Sequence, residues 1–324
     1  MAALIYYEFT AGPMKTKPEE LTISVVGLGY VGLPTALALH KAGFEVYGVD
    51  ISEDVIETLK GGGSPFVDES SELIIPVDSE SWNVTCDFGE AIPKSDIVLI
   101  TVPTPVTESN EPDLSFVISA SRSILQSVNT NSRTIVTLES TVYPGATLEF
   151  AKKLNTRKFT IGKDLFLGYS PERENPGDKN FSYKTTPKVI SGFSKKCLKL
   201  VNLIYSHIVR NRVIAKEIDA AELSKLLENM YRSVNIGLVN ELKIICDKLN
   251  IDIFDVIELA STKNFGFQKF LPGPGLGGHC IPIDPFYLSW ISEKKGYKPK
   301  FISTAGKLNT SIPYWVTEKM LKNI

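Results

Sequence analysis

The feature that most constrains this chain is the hexapeptide Gly27-Leu28-Gly29-Tyr30-Val31-Gly32, placed directly between a β-branched run and an alanine- and leucine-rich segment. Residues 22–26 (Thr-Ile-Ser-Val-Val) predict a strand, and residues 33–42 predict a helix that tolerates Pro34 in its first turn. Strand, glycine turn and helix in that order make a dinucleotide-binding unit. Gly27 permits the tight turn, Gly29 lets a pyrophosphate reach the backbone, and Gly32 lets helix pack against strand. The phosphates then meet the positive N-terminus of the helix. A second strand over 45–49 ends at Asp50, 18 residues after Gly32. A carboxylate there accepts from the adenosine ribose and repels a 2′-phosphate, so the pattern predicts NAD rather than NADP. The competing reading, a glycine turn in an unrelated α/β protein, does not require the acid.

Further strands are predicted over 97–102, 134–138, 165–169 and 188–191, with helical patterns between several of them. Alternating strands and helices imply a parallel sheet covered on both faces. Past residue 215 the character changes. Residues 217–249 hold no proline and one glycine, Gly237, and Leu223, Leu226, Leu227 and Met230 recur at helical spacing. One long helix is predicted there, a second over 253–261, and a last helical pattern into the C-terminus.

A chain of 324 residues accommodates two domains, and 43% hydrophobic with 22% charged residues is ordinary globular composition. A net charge of −2 gives no electrostatic case for nucleic acid or an acidic membrane surface. Cys86, Cys197, Cys246 and Cys280 are widely spaced, which argues against a zinc site or disulfide framework and for a reducing cytoplasm. His40, His207 and His279 are too scattered for a metal cluster, so no metal is predicted. No apolar run reaches transmembrane length, and the first residues lack the form of a signal peptide. Met14 offers an alternative start.

Several segments carry chemistry. Residues 273–285 (Gly-Pro-Gly-Leu-Gly-Gly-His-Cys-Ile-Pro-Ile-Asp-Pro) hold four glycines and three prolines, a composition that predicts a loop. A thiol in such a loop, Cys280, is a candidate nucleophile, with Asp284 four residues on; a tight turn around a buried cysteine is the plainer reading of that segment alone. Lys225 and Asn229 share one face of the long helix, either as a solvated pair or as a base and an oxygen-fixing amide. Thr101-Val102-Pro103-Thr104-Pro105 ends a predicted strand, where a dinucleotide crevice is lined, though the prolines equally serve as strand terminators. Glu139-Ser140-Thr141 and Ser170-Pro171-Glu172-Arg173 end two more strands with hydroxyls, a carboxylate and a guanidinium, for which capping or surface chemistry is the plainer reading of each alone.

Together these segments, with Pro112-Asp113-Leu114-Ser115 and Ser140-Thr141-Val142-Tyr143-Pro144-Gly145, occur in the order seen in UDP-sugar 6-dehydrogenases, which the chain resembles from about residue 20 to its end. The Gly-Gly-His-Cys-Ile-Pro and Ser-Pro-Glu-Arg forms look like the branch acting on UDP-N-acetylglucosamine and UDP-N-acetylmannosamine. The resemblance implies an NAD-dependent oxidation of the sugar C6 hydroxyl to an acid through a thiohemiacetal and a thioester on Cys280. It implies that Lys225 and Asp284 handle protons, that Asn229 and Thr141 steady an oxyanion or water, and that Glu172 assists hydrolysis. Cofactor contacts fall to Gly27, Leu28, Gly29, Tyr30, Val31, Gly32, Asp50, Val102, Pro103, Thr104, Ser140 and Thr141. Substrate contacts fall to Glu172, Arg173, Lys225, Asn229, Phe270, Leu271 and Gly277. One departure concerns the cofactor: the family often places a basic residue after the acid, where this chain reads Ile51-Ser52-Glu53-Asp54-Val55.

The expected architecture is α/β: an N-terminal extension over 1–20, a Rossmann-type NAD-binding domain over 21–215, and a helical central and dimerisation domain over 216–304. Residues 305–324 are expected to begin a UDP-binding α/β domain that the family carries and this chain lacks. UDP-N-acetylglucosamine is the expected substrate; UDP-N-acetylmannosamine or UDP-glucose as substrate, a truncated, inactive NAD-binding dimer and a 3-hydroxyacid dehydrogenase are the alternatives. The last transfers one hydride and needs no thiol.

Overall fold

The computed structural model describes residues 17–66, 73–109, 111–129, 134–155, 159–173, 186–277 and 280–322, with backbone alone for Cys280, Ile281 and Pro282. Residues 1–16, and Gly278 and His279 of the glycine-rich segment, lie outside the described residues. In chain order the elements are β1 (Thr22–Val26), α1 (Gly32–Lys41), β2 (Glu45–Val49), α2 (Glu53–Lys60), β3 (Trp82–Thr85), α3 (Phe88–Ala91), β4 (Ile97–Ile100), α4 (Ser115–Ser127), β5 (Thr134–Leu138), α5 (Ala146–Leu154), β6 (Leu165–Tyr169) and β7 (Lys188–Gly192). There follow α6 (Lys195–Ile208), β8 (Arg212–Ile214), α7 (Ile218–Leu249), α8 (Ile253–Ser261), α9 (Cys280–Lys294) and α10 (Phe301–Lys322).

The strands form one eight-stranded sheet in the order β3-β2-β1-β4-β5-β6-β7-β8. Neighbours from β3 to β6 pair in parallel, β7 runs antiparallel to β6, and β8 runs parallel to β7. Every residue of β1, β4, β5 and β6 is buried, as in strands covered on both faces. On one face Leu33, Ala36 and Leu39 of α1 join Ile23, Val25 and Val46 in a core that extends to Val201 and Ile204 of α6. This is the expected Rossmann-type α/β domain.

Two compact units divide the chain: residues 1–104 with 114–222, and residues 105–113 with 223–324. The boundary falls inside α7, whose 32 residues extend about 48 Å. In the second unit α7 turns Leu226, Asn229, Met230, Ser233 and Asn240 inward. A Cβ at Gly237 would lie 3.4 Å from the Ala305 Cβ, so the missing side chain lets α10 approach closely. The short 105–113 segment is held within this unit by the buried Tyr287, whose hydroxyl donates to Pro105 O at 3.0 Å.

The structure departs from the sequence reading in three places. The strand expected over 97–102 ends at Ile100, and β3 and β8 are additional strands. The glycine-rich loop is shorter than its composition implies, because α9 begins at Cys280 and contains Pro282 and Pro285. The first amides of a helix have no intrahelical acceptor, so Pro282 in the first turn forfeits nothing. Among the described residues no helix is long and apolar enough to cross a membrane.

Candidate active site

In the first unit the turn after β1 is built for close approach. Gly27 has φ of 93°, and a Cβ there would lie 3.0 Å from Val102 N. A Cβ at Gly32 would fall 1.7 Å from Gly27 O, so no side chain fits where α1 meets β1. A Cβ at Gly29 would meet nothing within 4 Å. The middle glycine therefore faces open space while its neighbours are packed, as a backbone cradle for a pyrophosphate requires. Thr101 Oγ1 lies 2.9 Å from Val26 O and 2.8 Å from Gly27 O and ties the turn to the end of β4.

Asp50 also braces this turn. Its Oδ2 accepts from Leu28 N at 2.8 Å and its Oδ1 from Ser52 N at 3.0 Å, which leaves further lone pairs for ribose hydroxyls. Tyr30 is 57% exposed and its ring lies 4.2 Å from that of Phe66. Val102 takes part through its backbone, since Ser140 Oγ donates to Val102 O at 2.7 Å and joins the ends of β4 and β5. Pro103 and Thr104 continue that rim, and Thr141, half-buried, follows Ser140. These residues fit a bound dinucleotide.

The same unit buries a charged cluster. Lys188 Nζ lies 2.7 Å from Glu139 Oε2 and 3.1 Å from Glu172 Oε2, and the Tyr205 hydroxyl donates to Glu139 Oε1. Burial pulls Lys188 down, but Glu139 and then Glu172 outweigh it and hold the ammonium charged. Burial pushes the Glu139 carboxyl up against the attraction of Lys188. Arg173, beside Glu172, donates from Nη1 to Pro187 O at 3.1 Å.

In the second unit three of the expected residues come together. Asn229 Nδ2 donates to Asp284 Oδ2, and Arg232 Nη2 donates to Asn229 Oδ1. Asp284 is 2% exposed, and burial pushes its carboxyl up to about 6, against the Asn229 hydrogen bond and the charges of Lys225 and Arg232. A carboxyl that titrates there exchanges protons readily near neutral pH. Cys280 is the first residue of α9 and Asp284 lies one helical turn later. The loop before α9 is pinned at its stem, where Gly273 N donates to Asn240 Oδ1 at 3.0 Å. Asn240 Nδ2 donates to Asn309 Oδ1 at 3.1 Å, and Asn309 Nδ2 donates to Ser233 O at 3.0 Å. Phe270 lies edge-on to Tyr231 with ring centroids 5.9 Å apart, while Leu271 and Gly277 are exposed.

Sequence reasoning missed Lys188, Tyr205, Arg232, Asn240 and Asn309, and read Glu139 only as part of a strand-end segment. Arg232 had a signal, three residues past Asn229 on the same helix face. Glu222 was missed as well. It is fully buried and accepts from Gly145 N at 2.5 Å and Thr147 N at 2.9 Å, fastening the start of α5 beyond the Ser140-Thr141 turn.

Comparison with known proteins identifies the family. Residues 21–209 match the NAD binding domain of the UDP-glucose/GDP-mannose dehydrogenase family, and residues 219–311 match its central domain. The chain is 39% identical to Protein CapL of Staphylococcus aureus, over 93% of this chain and 70% of that protein. It is 37% identical to the UDP-N-acetyl-D-glucosamine 6-dehydrogenase of Salmonella typhi, over 94% of this chain and 70% of that protein. The solved structure of the UDP-D-ManNAc dehydrogenase from Pyrococcus horikoshii superposes with a TM-score of 0.85 at 30% identity, covering 93% of this chain and 71% of that one. The chain belongs to the UDP-glucose/GDP-mannose dehydrogenase family, the NAD-dependent nucleotide-sugar dehydrogenases.

Proposed function

We propose that the chain oxidises the C6 hydroxyl of a UDP-N-acetylhexosamine, UDP-N-acetylglucosamine first, to the uronic acid through a thiohemiacetal and a thioester on Cys280. The observation that carries this is Asp284, a buried acid pushed up to about 6, held by Asn229 and one helical turn after Cys280. Gly27–Gly32, Asp50, Val102, Pro103, Thr104 and Ser140 would hold NAD, which when bound supplies the hydride acceptor for both oxidations. Lys225 and Asp284 receive the proton that the alcohol loses as it becomes an aldehyde, through an ordered water. Cys280 as thiolate adds to the aldehyde carbon, and Asn229 and Thr141 steady the oxygen that results. Glu172 takes a proton from the water that cleaves the thioester. Arg173, Phe270, Leu271 and Gly277 contact the sugar nucleotide.

Two chains pair through α7. Leu227, Leu238, Ile245 and Leu249 form an exposed apolar stripe along it, at 62, 53, 46 and 60% exposure, which a second copy would cover. The reducing cytoplasm suits a free thiol nucleophile, and the acid product suits supply of a polysaccharide precursor.

The test is a steady-state assay with UDP-N-acetylglucosamine, UDP-N-acetylmannosamine and UDP-glucose. Two NADH per UDP-N-acetylglucosamine are expected, with kcat/KM at least about ten-fold above that for UDP-glucose. Faster turnover of UDP-glucose removes the N-acetyl assignment, and no NADH from pure protein that binds NAD favours the inactive dimer. Cys280→Ser is expected to abolish acid formation, whereas single-hydride 3-hydroxyacid chemistry would survive it.

A further inference from the structure

The buried cluster of the first unit does more than balance charge. Glu139 and Lys188 are 2 and 4% exposed, and the Glu172 side chain keeps 13%. Replacing a buried ion cluster by apolar residues is often neutral or stabilising, so stability alone gives a weak reason for a lysine at the head of β7. The sheet topology gives a better one. β7 runs against β6, with Gly168 opposite Gly192 and Tyr169 opposite Ser191. Continued three residues further, that register sets Glu172 across from Lys188. The reversal thus delivers the first residue of β7 to the carboxyl edge of the sheet, the edge at which a dinucleotide crevice forms. There the ammonium meets Glu139 directly after β5 and Glu172 three residues after β6, with the Tyr205 ring centroid 5.2 Å from Nζ. Glu172 Oε1 accepts from Arg173 N at 2.6 Å, so both carboxylate oxygens are held.

We propose that Lys188 is a positioning residue for the acid-forming half of the reaction: it fixes the Glu172 carboxylate at the sheet edge, and Glu139 and Tyr205 clamp the ammonium in place. This rests on the reading that Glu172 promotes thioester hydrolysis. In that step water gives a proton to Glu172 as its oxygen bonds the thioester carbon. The carbon–sulfur bond breaks, Cys280 leaves as thiolate, and Glu172 and the new acid release their protons to solvent. No electrons move, and water is the only co-reactant.

The test compares wild type, Lys188→Arg and the double variant Glu139→Gln/Lys188→Met, which removes the buried pair together and so protects the fold. Rapid mixing with NAD and UDP-N-acetylglucosamine reads the first-turnover NADH and the steady state separately. In the double variant the NADH burst is expected within about two-fold of wild type, while the steady state falls about 100-fold and acid-quenched protein retains the sugar as a covalent adduct. Lys188→Arg recovers most of the loss. An unchanged steady state, or equal loss in burst and steady state, overturns the proposal. A second measurement needs no turnover: urea stability against pH for Glu139→Gln/Lys188→Met with and without Glu172→Gln. Without its ammonium, an ionised Glu172 weakens the fold as pH rises, and Glu172→Gln removes that slope; identical slopes overturn the proposal. A wild type that makes no acid while the slopes differ refutes the reading of function and supports the hold of Lys188 on Glu172.

Discussion

Two carboxylates, one in each unit, have different partners, and the difference determines what each is able to do. Glu172 lies 3.1 Å from an ammonium that is itself held by Glu139. Asp284 is met by the amide of Asn229, with Lys225 and Arg232 acting through their charge. An ammonium in contact favours the ionised form, whereas at Asp284 burial outweighs the amide and the nearby charges. Asp284 accordingly titrates at about 6. One carboxylate is fixed in place by a cation and the other is placed to gain and lose a proton. Two roles from one functional group, set by environment, is a recurrent arrangement in acid–base sites.

The largest test of this contrast is Lys188→Met. Removing the cation strands Glu139 in a site with 2% exposure, and urea unfolding at pH 7.5 is expected to show a loss of about 3–5 kcal/mol, mostly recovered by adding Glu139→Gln. A loss below about 1 kcal/mol would mean that the cluster is not held by charge. Asp284→Asn should act in the opposite direction. Its folded carboxyl sits above its ordinary 3.8, so the folded state binds the extra proton between about 4 and 6. Stability from this group is therefore greatest below 3.8, falls as pH rises toward about 6, and is level above, a span of about 3 kcal/mol. Asp284→Asn keeps an acceptor for Asn229 while removing that slope, so at pH 7.5 it unfolds at equal or higher urea even as turnover falls about 100-fold. A variant that is less stable at pH 7.5 than the wild type would erase the contrast.

Legibility in the sequence follows the range of the interactions. The turn at Gly27–Gly32 is readable because its requirements are local: a backbone conformation at Gly27 and a clash that only glycine avoids at Gly32. Lys225 and Asn229 are readable because four residues span one helical turn. Lys188 is not, since nothing beside it in a strand reading Lys-Val-Ile-Ser-Gly marks a charge cluster. Its partners lie 49 and 16 residues away, joined to it only by the reversal of β7. The start of α9 misleads for another reason. Glycine and proline counts describe a helix interior, whereas Pro282 stands in a first turn whose amides have no intrahelical acceptor to lose.

The smallest expected effect concerns the loop itself. Asn240 is fully buried on α7 and uses both ends of its amide, accepting from Gly273 N and donating to Asn309. Asn240→Ala leaves the Gly273 amide and the Asn309 oxygen without those partners and should cost about 2 kcal/mol of stability. Its functional effect is more telling. A looser stem at Gly273 lets the segment leading to Cys280 wander, which lowers kcat by about ten-fold through orientation alone. The turn at Gly27–Gly32 belongs to the other unit and makes no use of Asn240, so the KM for NAD should hold within two-fold. Equal losses in kcat and in NAD affinity would show that Asn240 supports the whole chain rather than the thiol loop.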